Sequence, residues 1–378
     1  MRLTHKLLLF GIIITVSCTA TRHIANKKEF GSLKFLSEYD IPHNKEFQNT
    51  IIGGLSGIDY AGQKNVYYII SDDRSERNPA RFYKAKIIIN NNKIDSVSFI
   101  ETMLLKNREG DFYSGFTTDP FHCPDPEGIR YNPLNNSFTW CSEGERINRE
   151  GKVILEDPSI IEINEKGIYK DTLILPEQMH MNKEEKGPRR NSVFEGLSFA
   201  DNYKTLFVNV EEPLYNDGSR AGLKDSTGII RILKFDVATK KPVAQYAYRI
   251  DAVAHSPVPE GAFIINGVTD ILTIGKNKLI VIERSFSTGR AACTIKIYLA
   301  DLTSAENIEY ETSVKNKQVK MISKKILLNM DALGIYIDNI EGVCYGPVLP
   351  NGHKTLLFVS DNNFDPVQKT QFLLFEVE

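Results

Sequence analysis

The segments Leu55-Ser56-Gly57-Ile58 and Ile70-Ser71-Asp72-Asp73 begin and end a pair of apolar runs joined by a short polar turn, and this pattern recurs along the chain. Four further copies begin at Pro126-Glu127-Gly128-Ile129, Phe194-Glu195-Gly196-Leu197, Thr269-Asp270-Ile271-Leu272 and Ile340-Glu341-Gly342-Val343. They end at Cys141-Ser142-Glu143, Val210-Glu211-Glu212, Ile282-Glu283-Arg284 and Val359-Ser360-Asp361. Repeated β units with a period of about 70 residues indicate a solenoid or a propeller.

Two more strand-like runs follow each of the first four copies, such as Phe82 to Ile89 and Ser96 to Leu105. Four strands per unit is the content of a propeller blade. The fifth unit has only three, and the run Leu33 to Ile41 can supply the fourth. The sequence therefore predicts one all-β domain over residues 33–378, a propeller of five four-stranded blades. The N-terminal strand would join the C-terminal blade and close the ring; six blades are the alternative.

Composition excludes several classes of protein. The chain has 378 residues, and its 46 basic residues are balanced by 48 acidic ones. Because no long basic run occurs, we expect no nucleic-acid partner. A charged fraction of 25% and a hydrophobic fraction of 42% exclude a disordered chain and a polytopic membrane protein.

The N-terminus has the pattern of an export signal. A short basic stretch precedes the apolar run Leu7 to Val16, which is too short to span a bilayer, and Ser17-Cys18 follow. This resembles a bacterial lipoprotein signal, with residues 1–17 as signal peptide, Cys18 lipidated and residues 18–32 as a tether. The protein would then be a periplasmic or outer-membrane lipoprotein that meets the membrane only through its anchor. An ordinary secretory signal is the alternative.

The other cysteines lie in a chain that is predicted to be exported, where disulfides persist. Cys123 and Cys141 are close enough in sequence to pair, while Cys293 and Cys344 could equally be buried free thiols. No Cys-x-x-Cys or His-x-His spacing exists, which argues against a zinc site.

Blade topology predicts where the repeated polar residues meet. The first strand of a blade starts at the rim where the second strand ends, so these segments should converge around one mouth of the channel. The long loops Lys106 to Asp125, Pro176 to Val193 and Pro213 to Thr227 belong to the same rim, where function tends to lie. The acids expected there are Asp72, Asp73, Glu127, Glu143, Glu145, Glu195, Glu211, Glu212, Asp270, Glu283, Glu341 and Asp361.

So many carboxylates would repel one another unless cations neutralise them. Oxygen ligands without His or Cys favour Ca²⁺. The predicted metal ligands are Asp72, Glu127, Glu195, Glu211, Asp270, Glu341 and Asp361, of which Glu127, Glu195 and Glu341 are also the catalytic candidates. The predicted anion-binding residues are Arg74, Arg81, Arg284 and Arg290, because arginine binds phosphate or carboxylate bidentately. Alternatively, the acids cap strand ends and pair with arginines.

The same segments resemble a known family. Gly54 to Tyr60, Ser71 to Arg74 with Ala80 to Tyr83, and Asn339 to Gly342 with Ser360 to Phe364 are similar to the phytase-like domain family, described as esterase-like activity of phytase. Asp270-Ile271 and Val281 to Phe286 add to the resemblance, which covers about residues 33–378. It implies a propeller, an exported location and a phosphoesterase activity, but it transfers no established catalytic residue. The Ca²⁺-dependent alkaline propeller phytases are a looser comparison, with six blades.

Three functions remain open from the sequence. The first is a metal-assisted hydrolase of small phosphoesters or related anionic esters, acting as a monomer. The others are a non-catalytic cell-surface binding protein that uses the same mouth, and a metal-dependent lactonase, for which Asn209, Asn362 and Asn363 are candidates. A serine esterase is disfavoured, because no Gly-x-Ser-x-Gly elbow occurs.

Overall fold

The fold is seen in a computed structural model that describes residues 30–224 and 228–378. The predicted signal peptide, Cys18 and most of the predicted tether lie outside the described residues. The chain begins with strand β1 (Leu33–Ile41), followed by a small hairpin of β2 (Glu46–Phe47) and β3 (Thr50–Ile51). The rest of the described chain consists of strands and the loops that connect them, with only three short 3-10 helices.

Four-stranded antiparallel sheets follow in order along the chain. Blade 1 contains β4 (Leu55–Ala61), β5 (Val66–Ser71), β6 (Arg81–Asn90) and β7 (Lys93–Leu104). Blade 2 contains β8 (Pro126–Asn132), β9 (Ser137–Ser142), β12 (Ser159–Asn164) and β13 (Tyr169–Thr172), with a hairpin of β10 (Glu145–Arg149) and β11 (Lys152–Glu156) inserted after β9. Blade 3 contains β14 (Phe194–Ala200), β15 (Thr205–Val210), β16 (Ile229–Asp236) and β17 (Lys241–Arg249).

Blade 4 contains β18 (Ile264–Gly275), β19 (Lys278–Ser287), β20 (Thr294–Asp301) and β21 (Ser323–Asn329). Blade 5 contains β22 (Asn339–Tyr345), β23 (Lys354–Asp361), β24 (Thr370–Val377) and β1, which pairs antiparallel with β24 from Leu33↔Val377 to Ile41↔Thr370. Short 3-10 helices occur at Glu177–Met179, Tyr215–Asp217 and Met330–Leu333. The predicted five-bladed all-β propeller and its closure by the N-terminal strand are confirmed; the inserted β10–β11 hairpin was not predicted.

The core consists of hydrophobic clusters that lie between neighbouring blades. One cluster joins each adjacent pair, including blades 5 and 1, so burial is continuous around the ring. The cluster between blades 1 and 2, for example, packs Phe82 against Phe138 with ring centroids 5.0 Å apart. No blade could bury its faces alone, which is why the repeat folds as one domain.

The glycines of the repeat allow the inner strands to approach one another closely. A Cβ atom at Gly57 would lie 2.6 Å from the carbonyl oxygen of Glu127 in the next blade. A Cβ atom at Gly128 would lie 2.9 Å from the carbonyl oxygen of Glu195. Backbone thus packs directly against backbone around a narrow channel, and any side chain at these positions would push two blades apart.

The four described cysteines are buried and free. Cys123 and Cys141, which are close enough in sequence to pair, therefore form no disulfide with each other. The two side chains contact different segments: the Cys123 thiol is 3.3 Å from the Arg74 carbonyl oxygen, and the Cys141 thiol is 3.4 Å from that of Phe194. Across residues 30–224 and 228–378, no helix is long and apolar enough to cross a membrane.

Candidate functional site

A β-bulge lies at the same place in the inner strand of every blade. In blade 1 the register skips from Leu55 to Gly57, and in blade 5 it skips from Ile340 to Gly342. Bulges turn a side chain away from the regular alternation of a strand. The bulged residues form a first ring at the mouth, whose members are Ser56, Glu127, Glu195, Thr269 and Glu341.

A second ring comes from the ends of the second strands. Strand pairing aligns Ser71, Ser142, Val210, Glu283 and Ser360, and the residue after each forms this ring. Its members are Asp72, Glu143, Glu211, Arg284 and Asp361. The two rings bring together six of the seven predicted metal ligands, Asp72, Glu127, Glu195, Glu211, Glu341 and Asp361.

Blade 4 departs from the others in both rings. The bulge falls on Thr269, so Asp270 occupies the position that is glycine in the other copies. Thr269 donates to the Ile340 carbonyl (2.9 Å), and Ser56 likewise donates to the carbonyl of the equivalent residue in the next blade, Pro126 (3.3 Å). The repeat pattern in the sequence aligns Asp270 with Glu127 and the other bulged residues. Strand pairing shows that Thr269 is the equivalent residue, one position earlier.

Asp270 consequently lies deeper in the channel than the rings. Its carboxylate accepts from Arg130 Nη2 at 2.8 and 2.9 Å and from the Val343 backbone N–H at 2.8 Å. Glu283 is likewise turned away from the mouth. Its carboxylate accepts hydrogen bonds from Tyr248 and Asn266 and forms a salt bridge with Lys324. The structure therefore does not bring Asp270 to the other predicted ligands.

Two groups of carboxylates are close enough to share an ion. One oxygen from each of Asp125, Glu127 and Glu143 lies within 4.8 Å of the others, and the same holds for Glu143, Glu195 and Glu211. All these residues are buried. Since Ca²⁺–oxygen distances are about 2.3–2.6 Å, oxygens at this spacing can coordinate one Ca²⁺.

The surroundings also fit a cation. Asp125 Oδ2 is buried and accepts no hydrogen bond from the described residues, although Arg74 Nη1 lies 3.5 Å from it. Arg74 forms a salt bridge with Asp125 (3.5 Å), and Arg284 forms one with Glu211 (2.6 Å). Among the described residues, none forms a salt bridge with Asp72, Glu127, Glu143 or Glu195. A buried carboxylate without a counter-charge is costly, so these oxygens favour a bound cation or protons.

Burial and mutual repulsion raise the pKa of every carboxyl group in the two rings. The pKa values of Asp72, Glu127, Glu143 and Glu195 lie well above the ordinary range, first because of desolvation and then because neighbouring carboxylates repel the charge. Desolvation likewise raises the pKa of Glu211 to about 7, that of Asp361 to about 6 and that of Glu341 to about 8. Close to the rings, burial raises the pKa of Asp125 to about 7. Such concentrated pKa perturbation is a mark of functional sites.

The predicted arginines divide into two groups. Arg284 lies in the second ring, and Arg74 flanks it, with its guanidinium 3.3 Å from Glu145. Arg81 is fully buried and bonded to Asp73, Tyr83 and the Ile51 carbonyl, so its donors serve the fold of the loop after β5. Arg290 is exposed on the loop after β19.

Sequence reasoning missed Asp125 and did not count Glu143 among the metal ligands, although Glu143 was expected at this mouth. Both residues complete the carboxylate groups. Arg190 and Arg220 were not among the predicted anion-binding residues; they pair with Glu145 (2.7 Å) and Glu212 (3.1 Å). Asp125 precedes Pro126-Glu127 directly, and that adjacency was the available signal. Arg190 and Arg220 lie on long loops, whose paths the repeat does not specify.

Comparison with known proteins identifies the family. The family model described as "Phytase-like: Esterase-like activity of phytase" matches residues 50–364, most of the chain. The chain belongs to the phytase-like family. An uncharacterized secreted protein of Arthroderma benhamiae is 28% identical to this phytase-like chain over 139 residues, 35% of this chain and 26% of the relative. This chain thus matches about a quarter of the length of that relative.

Solved structures similar to this phytase-like protein include a deacetylase and an arabinanase. An N-acetylgalactosamine deacetylase from F. plautii has a TM-score of 0.47 and 9% identity, covering 92% of this chain and 94% of that one. A Bacillus subtilis arabinanase has a TM-score of 0.41 and 13% identity, covering 86% of this chain and 94% of that one.

Proposed function

We propose that the protein is a metal-assisted hydrolase of phosphoesters or related anionic esters, acting at the mouth that carries the two carboxylate rings. The observation that carries this proposal is the pair of buried carboxylate groups that share Glu143. Two adjoining sets of hard oxygen ligands suit Ca²⁺. The family assignment supports a hydrolase of this class.

An anionic substrate is supported by the arginines at the edge of the acidic rings. The side chain of Arg190 is 54% exposed and that of Arg220 is 39% exposed, although each pairs with a buried acid on one side. Arg74 is 20% exposed and keeps Nε buried without a partner among the described residues. Guanidinium groups with donors to spare can bind a phosphate or carboxylate beside the metal ligands.

The chain's own residues divide the work in this proposal. Asp125, Glu127, Glu143, Glu195 and Glu211 would hold the metal. Bound Ca²⁺ would supply charge that polarises the ester and activates water. Glu341, whose raised pKa of about 8 lets it exchange a proton near neutral pH, would act as acid or base. Arg284, 4.0 Å from Glu341, would stabilise developing negative charge.

The test is an assay of the purified protein with p-nitrophenyl phosphate, bis-p-nitrophenyl phosphate, phytate and lactones, with Ca²⁺ or with EDTA. We expect phosphoester turnover that EDTA abolishes. Because Glu143 belongs to both groups, Glu143→Gln should weaken Ca²⁺ binding in calorimetry and lower turnover by about a hundredfold or more. Glu165→Gln, at an exposed glutamate on the opposite rim, is the matched control and should change neither.

Several outcomes would contradict this proposal. Turnover that is unaffected by EDTA and by Glu143→Gln would rule out the metal. Ca²⁺ binding without turnover of any substrate would instead assign the mouth to a binding protein, and preferential turnover of lactones would assign it to a lactonase.

We further propose that the protein is exported and anchored through a lipid on Cys18. The N-terminal pattern supports both parts of this proposal, and the secreted relative supports export alone. Metabolic labelling with a palmitate analogue tests it: the native chain should incorporate label and Cys18→Ser should not.

A further inference from the structure

The channel has a second mouth at the opposite rim, where the inner strands end. A cavity of about 630 Å³ opens there, a volume typical of small-molecule sites. The Arg130–Asp270 ion pair lies across the channel between this cavity and the carboxylate rings, because Arg130 also donates to the carbonyls of Ile58 and Val343 in other blades. The cavity is therefore separate from the proposed catalytic mouth.

Aromatic rings surround this cavity in a pattern set by the repeat. The third residue after the glycine position is Tyr60, Tyr131, Phe199 and Tyr345 in blades 1, 2, 3 and 5, and all four line the cavity. Tyr203, on the turn after β14, adds another ring 5.3 Å from Phe199. Rings that combine an apolar face with a hydroxyl group suit a ligand that is apolar on one face and polar at its edge.

The floor of the cavity carries both hydrogen-bond donors and hydrogen-bond acceptors. Blade 4 places Thr273 where the others have an aromatic residue, and its Oγ1 is buried without a partner among the described residues. The side chain of Arg130 is 3% exposed, and its Nε is also buried without a hydrogen-bond partner among the described residues. Asp59 provides a carboxylate that accepts from the Tyr131 backbone N–H at 2.8 Å. An unpaired buried donor is costly, and a ligand oxygen would satisfy it.

The charges around the cavity are mixed. Asp59 and Arg130 carry opposite charges on the floor, and the exposed rim combines Lys64 and Lys276 with Asp201. No single sign dominates, so neither an anion nor a cation is selected. A neutral ligand with several hydroxyl groups matches these side chains better than an anion or a cation does.

We propose that this cavity binds a neutral saccharide of one or two rings. The C–H face of a pyranose ring would pack on the tyrosine and phenylalanine rings, and its hydroxyl groups would bond to Asp59, Arg130 and Thr273. The proposal does not depend on the hydrolase activity of the other mouth.

The experiment is isothermal calorimetry of the purified protein with glucose, maltose, cellobiose, lactose and diacetylchitobiose, supported by ligand-observed NMR. At least one should bind. Tyr203→Asn removes a ring while keeping a residue that tolerates the φ of +64° at this turn, and it should weaken binding about tenfold. Thr273→Val removes only the unpaired hydroxyl and should weaken binding about fivefold.

Tyr310→Asn, at a tyrosine that is 88% exposed and outside the cavity, is the matched control and should leave binding unchanged. Melting temperatures establish that each variant is folded. EDTA and Glu143→Gln should also leave saccharide binding intact, which separates this site from the proposed catalytic mouth. Binding of no saccharide, equal binding by the wild type and both cavity variants, or binding of phosphate or choline here instead would overturn the proposal.

Discussion

Arg130 of blade 2 reaches across the channel to Asp270 of blade 4, with Nη2 at 2.8 and 2.9 Å from the two carboxylate oxygens. The pair is almost completely buried, with 3% and 1% of the two side chains exposed. The same guanidinium donates to the carbonyls of Ile58 in blade 1 and Val343 in blade 5. One side chain thus links four of the five blades at the centre of the ring.

Arg130→Met should therefore lower the free energy of unfolding by about 3–5 kcal/mol, because it leaves the Asp270 carboxylate buried without its partner. Urea unfolding followed by tryptophan fluorescence measures the change. Combining Arg130→Met with Asp270→Asn should recover part of the loss, since no uncompensated charge remains. Arg108→Met, at an exposed arginine, is the control; an equal loss for Arg130→Met and Arg108→Met would contradict this role of the pair.

The close contact between neighbouring inner strands leads to a second prediction, on the stability of glycine variants. Gly57→Ala should destabilise the protein by about 1–3 kcal/mol, because the new Cβ would lie 2.6 Å from the Glu127 carbonyl oxygen. Gly222→Ala has open space around its Cβ and should change stability by less than about 0.5 kcal/mol. Thermal unfolding of the two variants compares them directly, and equal melting temperatures would show that the strands can separate without cost.

The fold could be predicted from the sequence because each repeat unit corresponds to one four-stranded blade. Apolar strand pairs recur in all five units, the glycine recurs in four and the bulged acid in three, and Leu33 to Ile41 supplies the strand that the fifth unit lacks. The inserted β10–β11 hairpin has no counterpart in other blades, so comparison of the copies could not reveal it.

The site was predictable only where side-chain direction follows from the repeat. Glu127, Glu195 and Glu341 occupy the bulge in their blades, and the structure places them together. In blade 4 the acid stands at the glycine position, and only strand pairing shows that Thr269 is the bulged residue. A shift of one residue changes the face on which a strand side chain lies, and one sequence does not fix register to that precision.

The buried cysteines provide a third prediction. Cys123, Cys141, Cys293 and Cys344 are free and buried, and burial raises the pKa of the first three thiols to about 12. Because the thiolate is the reactive form, these thiols should react with Ellman's reagent only after unfolding. In a Cys18→Ser background, we expect no reaction in buffer and four thiols per chain in guanidinium chloride. Two thiols fewer after unfolding would indicate a disulfide and contradict the structure.

The carboxylate rings should make stability depend on pH in a direction set by their raised pKa values. The folded pKa of Glu341 is about 8, against 4.5 for an ordinary glutamate, so the folded state keeps a proton that the unfolded chain releases. Stability from such a group falls as pH rises from about 4.5 to about 8. Glu211 and Asp125, with folded pKa values of about 7, act in the same direction.

In EDTA the melting temperature should accordingly fall between about pH 5 and about pH 8, as charge builds up in the rings. Added Ca²⁺ should raise the melting temperature most at the alkaline end, because the ion competes with protons for the same oxygens. Glu341→Gln should flatten the EDTA profile, since the amide does not ionise, whereas Glu165→Gln should leave the profile as it is. A melting temperature in EDTA that rises across this range, or a Ca²⁺ effect independent of pH, would show that the rings do not hold protons in the absence of metal.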